Sequence, residues 1–349
     1  MKVDFDLYRK KFRSTAYELD VVANESKIRR ILQLKEEKNV LILGHNYMRP
    51  LIYGLSEDGA RGDSLALARH AAKTDCPIIL FDGVRFMAET AKILNPTKKV
   101  LIATKNAGCS LADPVTAKQV RHLKHENPGV PVVTYINSYA DVKGESDICC
   151  TSSNAIDVIK HMYKETGSAR IIFLPDTLMG QNLQKELDDL GYTIDLIYPG
   201  KDNSLAEGKC EVHEKFTLEM LLDIREQYSI PKGRPGRAIL AHWECPPKVL
   251  EEADFYGSTS QMANYISKNS PELVFLATEC EMSANLEGEF PQTEFVRTCQ
   301  IFCSHMGQIT LDGILSALET EDPIKHEVTV DPKVRMRALK PIQRMLALS

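Results

Sequence analysis

The chain lacks any apolar run of transmembrane length, and its first twenty residues mix Lys, Arg, Asp and Glu where a signal peptide would be apolar. It has no basic stripe either: the formal net charge is -5, with 43 Lys and Arg spread along the sequence against 48 Asp and Glu. These absences argue against a membrane protein and against a nucleic-acid binder, and the expected location is cytoplasmic. No low-complexity segment interrupts the 349 residues, which suffice for two or three compact units. Nine cysteines in a reducing compartment are read as core residues, metal ligands or catalytic groups rather than disulfide partners.

What the sequence does have is one pattern written three times. The copies open on the apolar runs Val40 to Tyr47, Val130 to Asn137 and Ala238 to Glu244, and they close on Cys109, Cys210 and Cys303. A repeat of this length implies three similar structural units, with three similarly placed thiols able to meet on a shared axis. Short apolar runs alternate with stretches of helical period at 64–72, 87–94, 154–163, 181–190 and 260–266. That alternation predicts an α/β fold of three similar three-layer αβα domains with parallel sheets. The expected boundaries are 1–112, with a covering helix within residues 1–38 and the segment 306–349 packing back on the core, then 113–211, then 212–305. After residue 310 the sequence predicts an amphipathic helix over 311–318, a strand over 326–330 and a helix over 334–348.

In parallel α/β sheets, ligands bind beyond the carboxyl ends of the strands. The first strand of each copy ends in polar residues: His45-Asn46-Tyr47, Tyr135-Ile136-Asn137 and His242-Trp243-Glu244. A second equivalent place puts hydroxyls at an expected helix start: Asp63-Ser64, Thr151-Ser152 and Ser258-Thr259. One such place is ordinary N-capping. Three helix N-termini facing a common centre would instead form an anion site, suited to a dicarboxylate or a phosphate ester. The third equivalent place is the thiol.

The other six cysteines occupy no threefold-related position and read mostly as small buried hydrophobes, with Cys299 a spare or regulatory ligand candidate. Three thiolates hold zinc or an iron–sulfur cluster, and spacing does not decide between them. Single cysteines roughly a hundred residues apart do not look like the close pairs of structural zinc. A cubane on three cysteines leaves one iron without a protein ligand, a Lewis acid for a hydroxyl or carboxylate.

Taken with Gly44-His-Asn-Tyr47, Gly62-Asp-Ser-Leu65, Gly83-Val-Arg-Phe-Met-Ala-Glu89, Ala107-Gly-Cys-Ser-Leu111, Cys210-Glu-Val-His213 and Cys303-Ser-His-Met306, these segments resemble the quinolinate synthase family, the A protein of de novo NAD biosynthesis, from about residue 28 onward. The resemblance implies three αβα domains about a pseudo-threefold axis, around a central active-site cavity, with a [4Fe-4S] cluster on Cys109, Cys210 and Cys303. It implies a transferase that condenses iminoaspartate with dihydroxyacetone phosphate to quinolinate, releasing phosphate and two waters. An L-aspartate oxidase or dehydrogenase would supply the iminoaspartate.

Carried over position by position, the family's site falls on His45, Tyr47, Ser64, Tyr135, Asn137, Ser152, His213, His242, Glu244, Ser258 and Thr259. Glu244, Tyr47, Tyr135 and His242 are the expected catalytic groups, the first three as proton carriers; the remainder are expected to bind carboxylate and phosphate oxygens. Two stretches depart from the family pattern. His242-Trp243-Glu244 replaces the usual His-Pro-Glu, and residues 48–61 diverge more than their neighbours. Two other readings of the same thiols stay open at this point: a non-catalytic iron–sulfur or zinc sensor, and a zinc-dependent lyase.

Overall fold

The computed structural model describes residues 4–13, 15–201, 205–297 and 301–348. Cys299 lies outside the described residues.

Among these residues the strands form three four-stranded sheets in which every pairing is parallel. The first contains β1 (Val40–His45), β2 (Arg61–Gly62), β3 (Ile78–Asp82) and β4 (Lys99–Ile102). The second contains β5 (Val132–Tyr135), β6 (Ile148–Cys150), β7 (Arg170–Leu174) and β8 (Asp195–Ile197), and the third β9 (Arg237–His242), β10 (Phe255–Gly257), β11 (Leu273–Ala277) and β12 (Glu294–Val296). Strand order is the same in all three: β2-β1-β3-β4, β6-β5-β7-β8 and β10-β9-β11-β12. Helices flank each sheet, so the three αβα layers expected from the apolar runs are present. The runs read as continuous because both faces of a parallel sheet are covered; every residue of β5, β6 and β11 is buried.

The repeat extends to register. His45 lies opposite Gly62, Tyr135 opposite Cys150 and His242 opposite Gly257. One residue on, the N–H groups of Asn46, Ile136 and Trp243 donate to the carbonyls of Gly62, Cys150 and Gly257 at 3.1, 2.8 and 3.3 Å. Trp243 therefore makes a ladder bond that proline, lacking an N–H, cannot make. Its departure from the family pattern brings this strand exit into line with the other two.

The chain divides into two compact units. One comprises Met1–Gly108, Cys280–Glu289 and Phe302–Val330, and holds the first sheet; the other comprises Cys109–Glu279, Phe290–Ile301 and Asp331–Ser349, and holds the second and third. In the first unit, helix Leu311–Thr320 packs on helix Glu25–Glu37. In the second, the terminal helix Pro332–Ala347 packs on β6 and on helix Ala140–Lys143.

Three local expectations are corrected. Among the described residues of the segment 1–38 there are three helices rather than one, Phe5–Lys11, Glu18–Ala23 and Glu25–Glu37. Their breaks have local causes: the Thr15 hydroxyl bonds the Phe12 carbonyl, and Asn24 closes one helix through Asp20 while opening the next. Residues 326–330 form no strand but a single antiparallel bridge, Glu327 to Leu101. Finally, the helix after β6 starts at Ala155 behind Asn154, so Thr151 and Ser152 precede it in a turn. The Asn154 side chain accepts from the Thr151 N–H at 2.8 Å and from its hydroxyl at 3.2 Å, which draws the cap three residues downstream.

Candidate active site

The three cysteines share a local structure. The carbonyls of Cys109, Cys210 and Cys303 accept from the N–H groups of Asp113, Glu214 and Gly307 at 3.0, 3.1 and 3.0 Å. Each cysteine thus opens one helical turn. Each also lies seven residues before a threonine, Thr116, Thr217 or Thr310, that caps the following helix through its hydroxyl. In this turn the Met306 N–H reaches the Cys303 sulfur at 3.5 Å, and the Val212 and His213 N–H groups bond the Cys210 sulfur. Such bonds favour a sulfur bearing negative charge and are a known lever on iron–sulfur sites. All three thiols are half-buried and unpaired in disulfides. Burial pushes the Cys210 thiol well above its usual range, with Glu244 and Cys109 adding to the rise.

Beside Cys210 lies a buried polar network from the ends of three strands. The Tyr135 hydroxyl donates to Glu244 Oε1 at 2.6 Å, and Asn137 Nδ2 reaches the same oxygen at 3.3 Å. Glu244 Oε2 lies 2.8 Å from His213 Nδ1, and His213 Nε2 lies 2.9 Å from the Thr278 hydroxyl. The His213 ring stacks on His242 at 4.5 Å between centroids. Burial alone would raise the Glu244 carboxyl, but His213, His242 and the Tyr135 hydroxyl bring it down to about 2. Glu244 is therefore a carboxylate throughout the neutral range.

Nearby Asp176 goes the other way: burial, then the Glu244 charge, holds it well above the usual carboxylate range. One of its oxygens caps helix Thr177–Asp189 through Met179 N–H at 2.9 Å, and the other has no partner.

The two strand-end histidines are set alike. His45 Nδ1 accepts from the Tyr47 N–H at 3.2 Å, and His242 Nδ1 accepts from the Glu244 N–H at 3.3 Å. A ring that accepts at Nδ1 carries its proton on Nε2, so both histidines are Nε2–H donors in the neutral form.

Of the expected site residues, Tyr135, Asn137, His213, His242 and Glu244 come together in this network, close to Cys210. Ser258 caps helix Thr259–Asn269 and receives the Ser153 hydroxyl at 2.8 Å, joining the 151–153 turn to the third sheet. Ser152 and Thr259 flank that contact in the sequence. His45, Tyr47, Ser64 and Cys303 belong to the first unit. There Asp63 rather than Ser64 is the cap, Ser64 being the first helical residue, and the Tyr47 ring meets His45 edge-on at 4.8 Å.

Cys210, His213 and Glu244 each offer a donor atom within 4.8 Å of the others. However, both His213 nitrogens and both Glu244 oxygens already have partners within the network.

Two asparagines escaped the sequence reading. Asn182 Nδ2 donates to the carbonyls of Trp243 and Cys245, both at 2.8 Å, and so holds the β9 exit between His242 and Glu244. Asn285 Nδ2 does the same for Asn46 and Met48 at 2.9 and 2.8 Å, on either side of Tyr47. Each lies three residues after a methionine, Met179 or Met282, in the helix that follows the third strand of its sheet. Comparing the copies at that offset would have found them. Thr278, one residue beyond β11, was also missed, although the strand-end rule points to it.

The sequence profile described as "Quinolinate synthetase A protein" matches residues 29–347. Among curated proteins, "Quinolinate synthase 1" of Mesorhizobium japonicum is 46% identical over 318 residues, covering 90% of this chain and 89% of that protein. "Quinolinate synthase" of Caulobacter vibrioides is 46% identical over 318 residues, covering 91% and 80%. The protein of the same name from Xylella fastidiosa is 43% identical over 324 residues, covering 93% and 88%.

Proposed function

The chain belongs to the quinolinate synthetase A protein family, and on that premise we propose that it is a transferase that condenses iminoaspartate with dihydroxyacetone phosphate to give quinolinate, phosphate and two waters. The observation that carries this reading is the buried Tyr135–Glu244–His213 network set against Cys210, a thiol whose helical turn has the same local form as those at Cys109 and Cys303.

Cys109, Cys210 and Cys303 would hold a [4Fe-4S] cluster, which when bound supplies a Lewis-acidic iron without a protein ligand. The chain's own residues would do the rest. Glu244, kept as a carboxylate, accepts the hydrogen bond of the Tyr135 hydroxyl and orients that phenol to exchange protons with a substrate carbon or hydroxyl. His213 orients Glu244 through Nδ1; a substrate oxygen would take the place of Thr278 at Nε2. His45 and His242 present Nε2–H to substrate oxygens, His242 as a catalytic group, while Asn137, Ser64, Ser152, Ser258 and Thr259 bind carboxylate and phosphate. Tyr47 serves as a further proton carrier. We also assign the three repeats to 1–112, 113–211 and 212–305 about a pseudo-threefold axis, a cytoplasmic location and pyridine nucleotide biosynthesis, with iminoaspartate supplied by an L-aspartate oxidase or dehydrogenase.

A non-catalytic sensor would need the thiols but not a carboxylate held to a tyrosine and a histidine in a buried network. The test is anaerobic incubation of the purified protein with iminoaspartate and dihydroxyacetone phosphate. Quinolinate should form; its absence from protein with a full cluster would refute the assignment.

A further inference from the structure

Of the three cysteines assigned to the cluster, the two in the second unit, Cys109 and Cys210, have their loops joined by one hydroxyl. Ser110, the neighbour of Cys109, accepts from the Glu211 N–H at 3.1 Å and donates to the Lys209 carbonyl at 3.5 Å. Lys209 and Glu211 are the residues on either side of Cys210. The next residue, Leu111, is fully buried, and its side chain is the third-nearest group to the space above Gly208. Gly208 is itself fixed, because its N–H reaches the Thr177 hydroxyl at 3.0 Å and its carbonyl accepts from the Thr177 N–H at 2.8 Å. A Cβ at Gly208 would collide with the Pro175 carbonyl, so the segment before Cys210 can approach only as a glycine. Thr177 and Pro175 thus hold one side of the Cys210 loop, while Ser110 and Leu111 hold the other.

We propose that Ser110 is a positioning residue that sets the separation of the Cys109 and Cys210 sulfurs, making them a preformed two-thiol clamp for the cluster. This rests on the cofactor reading above. Without the Ser110 hydroxyl the Glu211 N–H loses this bond, and the Cys210 backbone loses its hydrogen-bonded tie to Ser110 in the Cys109 turn. Groups that orient metal ligands typically carry a ten- to hundred-fold share of metal affinity.

Two measurements test it on the full chain. In the first, anaerobically loaded wild type, Ser110→Ala and Ser110→Thr are mixed with a ferrous chelator. Iron should leave Ser110→Ala roughly ten- to hundred-fold faster than wild type, with the apoprotein still unfolding in one cooperative urea transition of unchanged slope, and Ser110→Thr should restore the slow rate. The second uses the apoprotein and phenylarsine oxide, which binds two thiols held close together, with Cys210→Ser as baseline. Ser110→Ala should weaken this binding at least about ten-fold. Equal iron release and equal arsenical affinity in wild type and Ser110→Ala would overturn the proposal, as would a Ser110→Thr variant that behaves like Ser110→Ala. Wild type that takes up no iron but shows the arsenical difference would sink the cofactor reading and leave the clamp standing.

Discussion

Replacing Asn182 by alanine removes a buried amide that holds two backbone carbonyls at 2.8 Å, those of Trp243 and Cys245. Each neutral hydrogen bond contributes about 1 kcal/mol net, and each buried carbonyl left without a donor costs about 1–3 kcal/mol. Water entering the space left by the amide can satisfy part of that demand, so a loss of about 2–4 kcal/mol is expected, large beside the stability of a typical domain. The effect should reach function, because His242 and Glu244 flank the released carbonyl of Trp243. Glu244 receives bonds at 2.6 and 2.8 Å whose geometry depends on where β9 ends. Urea denaturation should show a lower midpoint with unchanged slope, and quinolinate formation should fall at least about ten-fold, as small misplacements of catalytic groups commonly do. Asn182→Asp should be no better, since a carboxylate cannot donate to either carbonyl. An alanine variant within about 0.5 kcal/mol of wild type and fully active would refute the tether.

Glu244→Gln should still bind iron but turn over roughly 10²–10⁴-fold more slowly, since a neutral amide cannot carry protons as a carboxylate does; unchanged turnover in the anaerobic assay would remove Glu244 from the mechanism. The same carboxylate gives a pH signature. Its folded value near 2 lies below the ordinary 4.5, so its stabilisation is complete above about pH 4.5 and disappears as pH falls through about 2. Wild type should lose its stability advantage over Glu244→Gln across that window, and a constant difference from pH 6 to 2 would contradict it. Gly44→Ala should cost about 1–3 kcal/mol by thermal melting, because the new Cβ would stand 2.6 Å from the buried Ser56 hydroxyl. A neutral substitution there would show that Ser56 moves freely.

The sheets were legible because burial on both faces leaves long apolar runs, and strand-end chemistry was legible because it recurs. The helix start at Ser258 could be read directly, whereas the one near Thr151 could not. Both stretches are rich in capping residues, and only the bond from the Thr151 N–H to Asn154 decides where the helix begins. Residues 326–330 have strand composition, yet they meet β4 through a single bridge, a tertiary outcome that alternation does not encode. In a single copy, Asn182 and Asn285 look like ordinary polar helix residues; their carbonyl partners lie 61 and 63 residues away for Asn182, and 239 and 237 for Asn285. Thr116, Thr217 and Thr310 were available as a spacing signal, since each stands at the same offset from its cysteine.

The central claim is that Cys109, Cys210 and Cys303 together hold one cluster. Its most direct test is metal and sulfide analysis of anaerobically purified wild type beside Cys109→Ala, Cys210→Ala, Cys303→Ala and Cys299→Ala. Wild type and Cys299→Ala should each carry about four irons and four sulfides per chain, and the other three variants should lose them. Stoichiometric zinc without iron in the wild type, or a Cys303→Ala variant that keeps its cluster while Cys299→Ala loses it, would contradict the account.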